Sequence, residues 1–123
     1  MQMAEQVPPE VQSLAVRYNQ LRDFVSTLLQ QKMATEAEIE ELKRLIDVLE
    51  NKVEDDYVYE AIGGVLAKRK KDDVLSEAKE KLEILEARLE KFKKQEEKYT
   101  AELKETEEKL KALLAKQYQT LAK

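Results

Sequence analysis

The chain has 123 residues, 42% hydrophobic and 39% charged, with 22 Lys and Arg against 26 Asp and Glu and a formal net charge of −4. That length holds one domain. Cys and His are both absent, which excludes disulfides, zinc fingers, haem ligands, a Cys nucleophile and a His general base, and most enzyme classes with them.

The residues that punctuate a chain are few: Pro8 and Pro9 near the start, Gly63 and Gly64 at the middle. A loop-rich sandwich or barrel needs many turns and so many such residues. No apolar run approaches the ~20 residues that span a bilayer, and no basic segment followed by an apolar one opens the chain. These features predict a soluble, cytoplasmic protein without membrane contact. The acidic balance argues against general nucleic-acid binding, which calls for an excess of Lys and Arg on phosphate.

The first element runs from Pro9 to about residue 54. Alternating steps of three and four from Val11 reach Leu14, Tyr18, Leu21, Val25, Leu28, Lys32, Thr35, Ile39, Leu42, Ile46, Leu49 and Val53, and eleven of these thirteen positions are apolar. A 3.5-residue period held over six heptads is a coiled-coil seam, because it keeps one stripe facing a partner helix. Pro8 and Pro9 fit the first turn, where a missing N–H goes unnoticed.

Residues 57–70 form the second element. Aromatic and β-branched residues flank Gly63-Gly64, the signature of a two-residue β-hairpin whose central residues need positive φ. Ile62 then faces Val65, and Ala61 faces Leu66. A lone two-stranded hairpin is marginal in water and has two open edges, and no other strand remains in this chain to cover them.

A second helix is expected over 73–121. Asp72 and Asp73 mark its start, and a second seam follows: Leu75, Ala78, Leu82, Leu85, Leu89, Phe92, Glu96, Tyr99, Leu103, Thr106, Leu110 and Leu113. Each helix would run to roughly 70 Å. Folded back antiparallel about the hairpin, seam positions whose numbers sum to about 128 would lie opposite each other, so that Val53 meets Leu75 and Lys32 meets Glu96. A facing Lys and Glu would fix that register.

Other features are weighed against plainer readings. Lys68, Arg69, Lys70 and Lys71 could touch phosphates, but a charge run at a strand end is more often a solvated edge that discourages unwanted pairing. The carboxylates lack the concave, partly dry site that catalysis needs, and nothing matches a phosphate-binding Gly-rich loop. Apolar residues beyond the seam gather where both ends of the chain meet: Val7 and Val16, with Leu114, Tyr118 and Leu121. They either fray and pack on one another or stay open as a binding surface. Leu45, Val48 and Ile84 form another such set nearer the hairpin.

Helix, hairpin and helix, with Pro8-Pro9-Glu10-Val11-Gln12 at the start and Tyr59-Glu60-Ala61-Ile62-Gly63-Gly64-Val65-Leu66-Ala67-Lys68 at the middle, resemble a beta-type prefoldin subunit over essentially the whole chain. The central block carries the most specific part of the likeness. A single hairpin is similar to the beta class rather than the larger alpha class, and so short a chain resembles the archaeal kind. Ala67 stands where many relatives have a β-branched residue.

The resemblance implies one prefoldin-like domain over 1–123, an all-α-dominated fold in which a long antiparallel two-helix coiled coil carries a central β-hairpin that joins an oligomeric β-barrel base. It implies a hexamer of two alpha-type and four beta-type subunits, held through Tyr57, Tyr59, Ile62, Gly63, Gly64, Val65 and Leu66. It implies an ATP-independent chaperone, with no cofactor, metal or catalytic residue. Such a chaperone holds non-native proteins at the coiled-coil tips and delivers them to a group II chaperonin. Carried onto this sequence, the client-binding residues are Val7, Val11, Leu14, Leu113, Leu114, Tyr118 and Leu121. The competing reading is a coiled-coil adaptor or spacer with no chaperone activity.

Overall fold

The structure is a computed structural model that describes residues 7–122, with only the helix path for 120–122. Helix α1 spans Pro9–Asn51, strand β1 Tyr57–Ile62, strand β2 Val65–Lys70 and helix α2 Lys71–Ala122. Two long antiparallel helices thus carry a central hairpin. Two compact units share the helices: the helix ends, Met1–Gln30 with Lys93–Lys123, and the hairpin unit, Gln31–Phe92.

Local chemistry sets the element boundaries. The Pro8 carbonyl accepts from the Gln12 amide at 3.0 Å, Pro9 takes the first helical position, and Gln12 Nε2 donates to the Val7 carbonyl at 2.9 Å. Helix α1 stops at Asn51, three residues short of the expected end. The Asp55 carboxylate accepts from the Tyr57 amide at 3.1 Å, a turn that competes with another helical turn and sends the chain into β1. Helix α2 starts two residues earlier than expected. The Lys71 amide donates to the Asp56 carbonyl at 2.8 Å, so strand pairing passes straight into helix, and Asp72 and Asp73 sit in the first turn at the positive end of the dipole.

All twenty-five seam positions are buried or half-buried, and the buried apolar residues, Val11, Leu21, Leu28, Ile39, Leu49, Ala78 and Leu85, all belong to the seam. Thr35 and Thr106 are buried there too. Each hydroxyl donates to the carbonyl four residues back, at 2.8 and 2.9 Å, so neither is an unsatisfied polar group.

Within each unit, side chains of the two halves of the chain meet. In the helix-end unit the Phe24 ring meets Tyr99 edge-on, centroids 4.7 Å apart, and Arg17 pairs with Glu102. In the hairpin unit Lys71 Nζ donates to the Val53 carbonyl at 3.0 Å, and Lys79 reaches Glu50 at 3.3 Å.

The hairpin pairs Ile62 with Val65 and Ala61 with Leu66, as expected, and continues to Tyr57 with Lys70. Gly63 and Gly64 have φ of 54° and 85°, the left-handed pair of a type I′ turn. Nothing would meet a Cβ at either glycine, so a side chain there is resisted by backbone strain alone. Gly63→Asn should therefore leave stability nearly unchanged, while Gly64→Val should destabilise by about 1–2 kcal/mol; chemical denaturation of the two variants checks this.

Candidate functional site

The alternation of a β-strand gives the hairpin two unlike faces. Val58, Glu60, Ala67 and Arg69 point one way and are half-buried. Tyr57, Tyr59, Ala61, Leu66, Lys68 and Lys70 point the other way and are exposed, as are Ile62 and Val65 beside the turn. Every residue expected at a subunit interface therefore lies on the hairpin with its side chain, or for Gly63 and Gly64 its backbone, open to solvent.

Arg69 fastens the half-buried face. Its guanidinium donates to both Glu77 carboxylate oxygens on α2, at 2.9 and 2.7 Å, and lies 3.4 Å from Glu60 on β1. The two parallel bonds match the planar fork of arginine to a carboxylate. Hydrogen bonding and charge from Glu77, with smaller help from Glu60, raise the Arg69 pKa further above its ordinary value. The Arg69 hydrogen bond in turn lowers the Glu77 pKa, opposed by burial and aided by the Arg69 charge.

The rest of the basic run is similarly engaged. Lys68 Nζ sits 4.3 Å over the Tyr57 ring, a cation–π contact, and Lys71 reaches the Val53 carbonyl. With three of its four charges committed to the chain's own groups, the run offers little to a phosphate backbone.

At the helix ends the seven expected client-binding residues fall into three groups. Val7, Leu114 and Tyr118 are 40%, 47% and 74% exposed. Leu14 and Leu113 are half-buried, and Val11 is buried at 6% exposure. Val11 thus serves the core while the helices are paired. The Leu121 side chain lies outside the described residues.

The structure also exposes apolar side chains that heptad reasoning had not singled out: Phe24, Leu29 and Met33 on α1. They sit beside or opposite the seam, where a coiled coil usually places charge, and that mismatch was visible in the sequence. Leu45, Val48 and Ile84 are exposed as well, and a groove lined by Glu38, Glu41, Leu42, Arg44, Leu45 and Lys81 opens beside Leu45. No helix among the described residues is long and apolar enough to cross a membrane.

An antiparallel helical pair with a buried heptad seam and a central hairpin defines the class of coiled-coil hairpin proteins. Residues 12–117 match the family profile described as prefoldin subunit. A prefoldin subunit beta of Archaeoglobus fulgidus is 34% identical over 91% of this chain and 97% of its own length. One of Pyrococcus furiosus is 31% identical over 89% and 94%. The crystal structure of the prefoldin beta subunit from Thermococcus strain KS-1 superposes with a TM-score of 0.76 at 32% identity, covering 89% of this chain and 96% of that one. The chain belongs to the prefoldin subunit family, in its beta class, whose members are non-enzymatic chaperones.

The Arg69–Glu77 pair yields a pH prediction. A carboxylate whose pKa is lowered on folding contributes stability that is present above its unfolded value and lost as pH falls through the folded one. Carboxyl-resolved NMR titration should find Glu77 titrating below the ordinary Glu range of about 4.3, and Arg69→Gln should return it to that range.

Proposed function

We propose that the chain is a subunit of an ATP-independent holdase that holds non-native proteins at its helix ends and passes them to a group II chaperonin. The observation that carries this reading is the exposure of Leu114 and Tyr118 at the far end of a helix pair whose seam is otherwise closed. Val7, Leu114 and Tyr118 make first contact. Leu14, Leu113 and, last of all, Val11 join when the ends part, since the seam is what covers them, and Leu121 extends the stripe of Leu114 by one more heptad.

Assembly follows from the hairpin. Its open edges and its exposed Tyr57, Tyr59, Ile62, Val65 and Leu66 pair with hairpins of alpha-type and further beta-type subunits, in a complex of two alpha and four beta chains. Family membership supports assembly with other prefoldin subunits. Each arm then binds a client weakly, and one shared base raises the effective concentration of the remaining arms after the first engages. No step in this cycle requires nucleotide, because retention and release come from the number of contacts made.

The test is light scattering of a denatured, aggregation-prone enzyme diluted into buffer with this chain and an alpha-type subunit, without ATP. The intact complex should suppress aggregation. Trimming before Leu14 and after Lys109 should abolish suppression while the oligomer survives, and Tyr118→Ser should weaken it severalfold. Suppression by neither intact nor trimmed complex would favour the adaptor reading; equal suppression by both would move the client site away from the ends.

A further inference from the structure

We infer that the groove beside Phe24 and Tyr99 is a second client-binding subsite, set inward from the helix ends, which takes an aromatic or leucine-sized side chain of an uncharged stretch of a non-native polypeptide. This rests on the holdase reading above and adds to it a site and a class of segment. Phe24 occupies a g position, a place that flanks the seam and that coiled coils usually give to Glu or Lys. Its ring meets Tyr99 edge-on, and the residue is still 43% exposed.

The groove has a volume of about 290 Å³ and is lined by Arg17, Gln20, Leu21, Phe24 and Tyr99. Leu21, buried in the seam, is its floor. Two aromatic rings inclined at 76° form its wall, an edge-to-face arrangement. Arg17 would make the groove basic, but its guanidinium is paired with Glu102, which compensates that charge. Exposed Gln20 adds an amide that can both donate to and accept from a peptide backbone.

The dimensions choose among occupants. Small-molecule pockets begin at about 300 Å³, so this space admits one or two side chains and not a helix. A stable contact with a second copy of the chain would have to bury on the order of 1,000 Å², far more than one such groove offers. A phosphate or an acidic peptide would find one cation beside the groove, Lys98, whose Nζ lies 5.3 Å from the Tyr99 ring centroid, and not the arginine cluster that recognition of such groups uses. An apolar side chain flanked by neutral backbone satisfies both the walls and the rim.

The experiment uses the assembled complex of this chain with an alpha-type subunit. Its probe is fluorescein-labelled, reduced and carboxymethylated α-lactalbumin, a permanently non-native chain, followed by anisotropy. Phe24→Gln should raise Kd about threefold to tenfold, the range for one lost aromatic contact, and Phe24→Leu should restore most of the affinity. A benzophenone cross-linker in place of Gln20 should form an adduct with the probe upon irradiation. Thermal melts by circular dichroism separate lost binding from lost folding. If Phe24→Gln fails to fold, the position-20 adduct decides, because that chain keeps Phe24.

An unchanged Kd in folded Phe24→Gln, or no adduct from position 20, overturns the subsite, and weakened binding by Tyr118→Ser in the same assay would leave the holdase reading standing. Adducts between two copies of this chain in the absence of probe would assign the groove to self-association and overturn it as well. Failure of the unaltered complex to bind the probe would overturn both.

Discussion

The a/d seam is the constraint on which everything else in this chain depends. A stripe repeating every 3.5 residues can be covered only by another such stripe, and here the two helices cover each other: all the buried apolar residues are seam residues. Most of the hydrophobic stabilisation is therefore spent inside the helix pair. Outside the seam, one face of the hairpin and Leu114 and Tyr118 near the helix end stay exposed.

Two consequences follow, one for each compact unit. In the hairpin unit, β1 and β2 pair only with each other, and a two-stranded sheet of this size is marginal in water. Arg69 compensates in part, because its bidentate grip on Glu77 ties the hairpin to α2 and leaves the opposite face and both edges open. In the helix-end unit the seam residues grow sparse, and Leu114 and Tyr118 step off it into solvent. Exposed apolar side chains in both regions agree with membership of a family of chaperone subunits.

Much of this was legible in the sequence because the heptad is a long-range signal carried by many residues. Each seam position read from steps of three and four is buried or half-buried, and the Gly63-Gly64 turn set the hairpin register to the residue. Two things were not legible. The Arg69–Glu77 anchor depends on how the hairpin leans on α2, which no periodicity encodes. Phe24 was overlooked because a g position is defined by what flanks the seam, and its ring gains meaning only when Tyr99 is beside it. Val11 shows the limit in the other direction: apolar and near the end, it belongs to the core as long as the helices remain paired.

The central claim is that the hairpin edges are completed by strands of other prefoldin subunits. With Ile62 and Val65 as the closing hydrogen-bonded pair, antiparallel geometry turns the amides of Tyr59, Ala61, Leu66 and Lys68 outward, away from the partner strand. Hydrogen exchange at these four amides, measured for the chain assembled with an alpha-type subunit, tests the claim directly. Slow exchange, protected on the order of a hundredfold or more over free peptide, is the predicted result, since only global or subunit opening would then expose them. Exchange at the rate of an open edge in an assembled complex would mean that the subunits join elsewhere, and would contradict the account.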